Sequence, residues 1–316
     1  MKEFGKPAAP RKAFGEALAE LGRENPDLLV LDSDVGTSTQ AAIFQKAFPD
    51  RYIEVGIAEA NMMGIAAGLA TLGFVPFVST FAVFVSKRAL DQISISIAYP
   101  GLNVKLNGSY GGIPTGRAGA THQSVEDIAI MRAMPNMKIL VPADGPETRL
   151  AVRLAVATPG PVYLRTARCE VPTIFGPDHS LEWGKSVQLA DGLDVAIVAT
   201  GMMTHKAVLA AERLAKTGVK ARVIHMPSIK PIDEDALIRA SKEIGKIITV
   251  ENHSVIGGLG GAVAEVVTRR APCRVIRLGF PDCFGESGDD EAIFAKFGCN
   301  VEQIEEQARR MAAGLE

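Results

Sequence analysis

The sequence is poor in the features that mark out several protein classes. Its four cysteines, Cys169, Cys273, Cys283 and Cys299, form no C-x-x-C pair and have no His-x-His cluster to match. That pattern argues against a disulfide framework or a zinc site, and the thiols read as reduced ones in a cytoplasmic protein. An excess of one charge is also missing: 34 basic and 36 acidic side chains leave a net charge of -2. Nothing in that balance draws the chain to nucleic acid or to an anionic membrane surface. The N-terminal MKEFGKPAAPRKAFG has no apolar core, so no secretory signal is expected. Residues 60–86 carry no charge, but Gly73 and Pro76 break the run and VPFVSTF reads as a strand. The expectation is a buried segment and no membrane span.

Nucleotide-phosphate loops are absent in their full form. IGGLGGAVAEVV (256–267) misses the G-x-G-x-x-G spacing, and WGKS (183–186) has His179 where a P-loop needs its first glycine. Close helix packing and a simple turn account for these glycines better.

What is present is an ordinary globular composition, 47% hydrophobic and 22% charged, over 316 residues, a length that suits two domains. Strand-like runs recur at 28–34, 75–81, 103–108, 137–144 and 161–166, then at 194–200, 221–227, 246–251 and 273–279. Helical patterns fall between them near 11–24, 59–72, 124–133, 144–157, 204–217, 233–243 and 258–270, with a terminal helix over 300–314. Such alternation predicts an α/β chain whose two domains are each a mostly parallel sheet with helices on both faces. The stretch 167–193, with Pro172, Gly176, Pro177, Gly184 and Gly192, reads as a surface linker. A boundary near 185 gives domains 1–185 and 186–316.

Four groups of residues stand out. The segment EANMMGIAAGLATLG is apolar or small around its whole circumference, with Gly64 and Gly68 four apart. It fits a central helix of one domain and a helix at a subunit interface equally well. Glu59 stands where a strand ends and that helix begins. The helix dipole alone would favour a carboxylate there, whereas apolar surroundings would raise its pKa as a proton-sharing group requires. Phe81 and Phe84 in STFAVFVS read first as core aromatics. Among five histidines, His122 lies in the Gly-rich GRAGATHQSVED, ahead of a helix whose expected cap is Ser124. Loops at the carboxyl end of a parallel sheet are where sites form. His253 has a similar setting with nothing convergent beside it, and His179, His205 and His225 read as structural.

Taken in order, LLVLDSDVGTS, RYIEVGIAEANMMGIAAGLATLG, STFAVFVSKRALDQI, GATHQSVEDIAIMRAMPNMKILVPAD and VENHSVIGGLGGAVAEV resemble the pyrimidine-binding and C-terminal domains of transketolases. The resemblance runs over about residues 10–270. It implies thiamine diphosphate as cofactor, with Glu59 on the glutamate that hydrogen-bonds the aminopyrimidine ring nitrogen and favours the imino tautomer. It also implies that Phe81 and Phe84 pack on that ring and that Asp34 lies near the cofactor. Arg11, Ser38 and Arg165 fall on positions that bind the sugar phosphate, and His122 on the histidine that contacts donor hydroxyls.

The pattern departs from the family in three places. Lys87 replaces a common tyrosine, Arg117 and Ala118 replace Glu-Asp in the loop before His122, and Tyr110 stands where a phosphate-contacting histidine is usual. These changes suit a donor with a different hydroxyl pattern or anionic end, such as a branched or sulfonated sugar. The family's Gly-Asp-Gly motif for Mg²⁺ and diphosphate is missing; the only near match, GDD at 288–290, lies in the tail. The resemblance therefore implies a partner subunit that binds Mg²⁺ and diphosphate, in an α2β2 assembly. A β subunit of a 2-oxo acid dehydrogenase is the alternative enzyme, and a non-catalytic assembly subunit the alternative outside enzymes.

Overall fold

The computed structural model describes residues 4–315. Its strands in chain order are β1 (Gly5–Ala8), β2 (Leu28–Asp32), β3 (Tyr52–Glu54), β4 (Val75–Phe81), β5 (Lys105–Ser109), β6 (Lys138–Leu140), β7 (Val162–Thr166), β8 (Val171–Thr173), β9 (Val187–Ala190), β10 (Val195–Ala199), β11 (Ala221–His225), β12 (Ser228–Lys230), β13 (Lys246–Ser254) and β14 (Arg274–Phe280). A seven-stranded sheet has the order β12-β6-β7-β5-β4-β2-β3, and a five-stranded one β14-β13-β10-β11-β9. Every pair within these two sheets is parallel except β12 on β6 and β9 on β11. The central strands β2, β5, β7, β10 and β11 are buried along their whole length. That is what helices on both faces produce; β2 and β10 are near-continuous apolar runs, while β5 and β7 bury polar side chains as well.

Three local expectations need correction. The stretch 167–193 holds β8, which pairs antiparallel with β1, and β9, an edge of the second sheet, so it is not a featureless linker. Strand β12 comes from beyond residue 185 yet closes the first sheet against β6. The helix after His122 begins only at Asp127 and has no side-chain cap; Ser124 instead bridges Gly111 and Gly112, with its hydroxyl buried and unpaired.

The two sheets share packing. One apolar cluster joins Leu31, Met62 and Val78 of the first to Val198, Met226 and Val263 of the second. An apolar contact of that kind holds the halves as one unit. Polar groups seal the same junction. Arg165 donates from Nε to Asp127 Oδ2 at 2.7 Å and from Nη2 to the carbonyls of Ser124 and Asn252 at 3.0 and 2.9 Å. Tyr163 adds a bond to Asp127 at 2.6 Å. Burial would raise the Asp127 carboxyl, but the Arg165 charge and these bonds hold it below the ordinary range. His253 belongs here too, accepting from Ala129 N at 3.3 Å.

The other histidines are structural as expected. His179 and His225 flank Glu147 at 3.0 and 2.8 Å, and His205 Nδ1 lies 2.6 Å from the Met202 carbonyl. The glycines of IGGLGG serve close packing: a Cβ on Gly258 would come within 2.0 Å of Glu251 Oε2.

Candidate active site

The parallel register brings the carboxyl ends of β2, β4, β5 and β7 to one edge, pairing Asp32 with Ser79, Phe81 with Ser109, and Ser109 with Thr166. Beneath that edge a buried polar ladder fixes the ends: Ser33 donates to Thr80 at 2.8 Å, Asn107 to Ser79 at 3.2 Å and Thr166 to Asn107 at 3.1 Å. Each ladder bond satisfies groups that would be costly to bury alone. Just past these ends the chain turns sharply, with Asp34 at φ 60° and Tyr110 at φ 62°. Positive φ outside glycine is uncommon and here aims side chains over the sheet edge.

Above the edge lies a cavity of about 530 Å³. Ser38, Phe81, Tyr110, Arg117, Ala118, His122 and Arg168 line it from the first half, and Gly288, Asp289 and Asp290 from the second. The GDD segment therefore belongs to this site's wall, although its sequence position suggested a tail. It is fastened there: Gly116 N donates to Asp290 Oδ1 at 2.9 Å, Gly288 N to Gly116 O at 3.0 Å, and Gln123 Nε2 to Glu286 O at 3.1 Å.

The aromatic wall is continuous. Phe81 stacks on Tyr110 with ring centroids 4.3 Å apart, and the His122 ring stands edge-on to Phe84 and Phe81 at 5.4 and 6.0 Å. Tyr110 is gripped by cations: Arg11 Nη1 donates to its hydroxyl at 2.9 Å and to the Ser38 carbonyl at 2.7 Å, and Arg168 lies 5.5 Å from its ring centre. The structure thus brings Arg11, Ser38, Phe81, Phe84, Tyr110 and His122 together.

It does not bring Arg165 to this cavity. Position 165 lies inside β7, where alternation points its side chain into the junction with Asp127, and it is only 5% exposed. The arginine that lines the cavity is Arg168, two residues past the strand's end. Residue type alone gives no way to choose between arginines three apart; strand register does. Asp34 also stands off the cavity wall, at the end of β2, with its N–H on Glu54 Oε1 at 2.8 Å.

Glu59 opens the helix Glu59–Thr71 and is 4% exposed. Of the two settings the sequence allowed, apolar surroundings alone do not describe its carboxylate, which has a charged partner. Arg88, the last residue of the helix Ala82–Arg88, donates to Oε1 at 2.9 Å and lays its guanidinium 3.7 Å from the Phe84 ring centre. Lys87 pairs with Glu126. From Glu59 through Arg88 and Phe84 to His122, contacts run unbroken to the cavity. Asp32, below this wall, is pushed up to about 7 by burial despite its bond from Val35 N. Among the described residues no cluster of three or more His, Cys, Asp or Glu is placed to hold a metal ion, and no helix is long and apolar enough to cross a membrane.

A carboxylate at a parallel sheet's mouth, beside stacked aromatics and an arginine-lined cavity, is the setting of a ligand-binding α/β protein. Residues 6–173 match the pyrimidine-binding domain of transketolase and residues 184–304 its C-terminal domain. The chain belongs to the transketolase family. Within it, the chain is 41% identical to a 6-deoxy-6-sulfo-D-fructose transketolase subunit of a Clostridium species, over 93% of this chain and 91% of that one. It is also 41% identical to one subunit of an apulose-4-phosphate transketolase from Phocaeicola vulgatus, over 94% of this chain and 95% of that one. A solved split-gene transketolase, described as an inactive β4 tetramer, superposes with a TM-score of 0.90 at 47% identity, covering 96% of this chain and 98% of that chain.

Proposed function

We propose that this chain is the small subunit of a two-chain, thiamine-diphosphate-dependent transketolase. It would move a two-carbon ketol unit from an anionic ketose to an aldose phosphate. The observation that carries this reading is the unbroken path from Glu59 to a cavity bearing Arg168 at one side and Asp289 and Asp290 at another. A ligand anionic at one end and hydroxylated along its length matches both charges; a simple 2-oxo acid could use the arginine but has no hydroxyls for the two aspartates.

The residues present fit the cofactor's aminopyrimidine. A flat group with nitrogen donors is what Phe84 and Glu59 already hold, in the form of the Arg88 guanidinium. When bound, thiamine diphosphate supplies the nucleophilic carbon and electron sink that carbon–carbon cleavage requires. Glu59 would accept a hydrogen bond from the ring nitrogen and keep the proton there. Phe81 and Phe84 would orient the ring and exclude water. His122 would bond hydroxyls next to the reacting carbonyl, and Arg168, with Arg11 holding Tyr110 in place, would take the anionic end.

Diphosphate and Mg²⁺ are assigned to a partner chain carrying the Gly-Asp-Gly motif that this sequence lacks. An apolar patch supports such a partner: Gly64, Gly68 and Leu72 follow at helical spacing, Ile57 just ahead of the helix and Leu72 at its end are 73% and 74% exposed, and Ile95 and Tyr99 are 61% and 82% exposed. That the β chains of the similar split enzyme form an inactive tetramer agrees with the need for a second chain. Altered contacts at Arg117, Ala118 and Tyr110 fit a donor such as a sulfonated or branched ketose. The test is reconstitution with a partner chain that carries the Gly-Asp-Gly motif, Mg²⁺ and thiamine diphosphate. Ketol transfer from an anionic ketose to an aldose phosphate is expected; acyl transfer from pyruvate to a lipoyl domain instead would sink the reading.

A further inference from the structure

We infer that Arg88 is an intramolecular stand-in for the cofactor's ring, filling the Glu59–Phe84 pocket until the cofactor displaces it. The inference rests on the transketolase reading above and concerns how the chain keeps its own pocket. A carboxylate 4% exposed needs a partner, and the guanidinium provides one at 2.9 Å. The same group is planar and lies over Phe84 at 3.7 Å. Donor geometry toward a carboxylate and a flat face on an aromatic are the two properties an aminopyrimidine presents. Both cannot occupy the spot.

Arg88 is also built to leave. Its side chain is 47% exposed, at a helix end, and its one hydrogen bond among the described residues is to Glu59. The charged neighbours are Lys87, already paired with Glu126, and Asp91 along the same surface groove. Water reaches the half-exposed guanidinium, so it can swing out once another donor satisfies Glu59. If the pocket is about nine-tenths closed, apparent ring affinity is lowered about tenfold.

The hydroxymethyl aminopyrimidine that forms half of thiamine is the probe, titrated into the full chain by ligand-observed NMR. Arg88→Ala should bind it about tenfold more tightly than wild type, Arg88→Lys should lie between, and Glu59→Gln should bind it least. Thermal melts of the variants confirm folding. If Arg88→Ala binds equally or more weakly while Glu59→Gln still loses affinity, the stand-in idea is overturned and the cofactor pocket survives. If no variant shows Glu59-dependent binding, pocket and stand-in both fall.

Discussion

Arg165–Asp127 and Arg88–Glu59 place the same pair of charges in two settings. The first is sealed, with side chains 5% and 0% exposed, two N–H bonds to one carboxylate, and further bonds to backbone from both sides of the domain junction. The second couples a nearly as buried carboxylate to a half-exposed arginine through one bond. Burying both partners makes an ion pair architectural, because removing either leaves a stranded charge. Burying only the carboxylate leaves a site that a better-shaped ligand can take. This difference explains why one arginine belongs to the scaffold and the other to the pocket.

The widest gap between the pairs should appear in stability. Arg165→Ala is expected to cost about 4 kcal/mol in denaturant unfolding, whereas Arg88→Ala, whose place water can take from the open side, should cost about 1 kcal/mol. Equal losses would break the comparison. A smaller effect sharpens it on the substrate side: Arg168→Ala should raise KM for the anionic ketose about tenfold, roughly 1.4 kcal/mol, with kcat little changed and the melting point unmoved. The third effect is a slope with pH, not a single loss. Burial raises the Asp32 carboxyl to about 7, above its unfolded value, so the stability it favours is complete below about pH 4 and is lost as pH rises through 7. Asp32→Asn should flatten that part of the profile in urea titrations run across the range.

Much of the fold was legible because parallel strands carry their burial in sequence. VPFVSTF is β4 residue for residue, and the helices at 59–72 and 144–157 fall within a residue of Glu59–Thr71 and Gly145–Ala157. What stayed hidden was long-range. Ser-Ile-Lys between two prolines carries no alternation, so nothing announced that β12 would cross to the first sheet. The bond from Gly116 to Asp290 spans 174 residues, and no local pattern could place Asp289 and Asp290 in the cavity wall. The candidate site divided likewise. Glu59 and His122 were marked by their setting after strands and Phe81 and Phe84 only by the family resemblance, while Arg165 and Arg168 could be told apart only by strand register, and Arg88 gave no sign of its contact with Glu59.

The proposed function makes Glu59 the group that would work on the cofactor's ring, held until then by Arg88. The direct test is turnover by the two-chain enzyme reconstituted with Glu59→Gln, at saturating thiamine diphosphate and Mg²⁺. A fall in kcat of at least about a hundredfold, with folding and assembly intact, is what proton transfer through this carboxyl predicts. Wild-type turnover from the glutamine variant would contradict it.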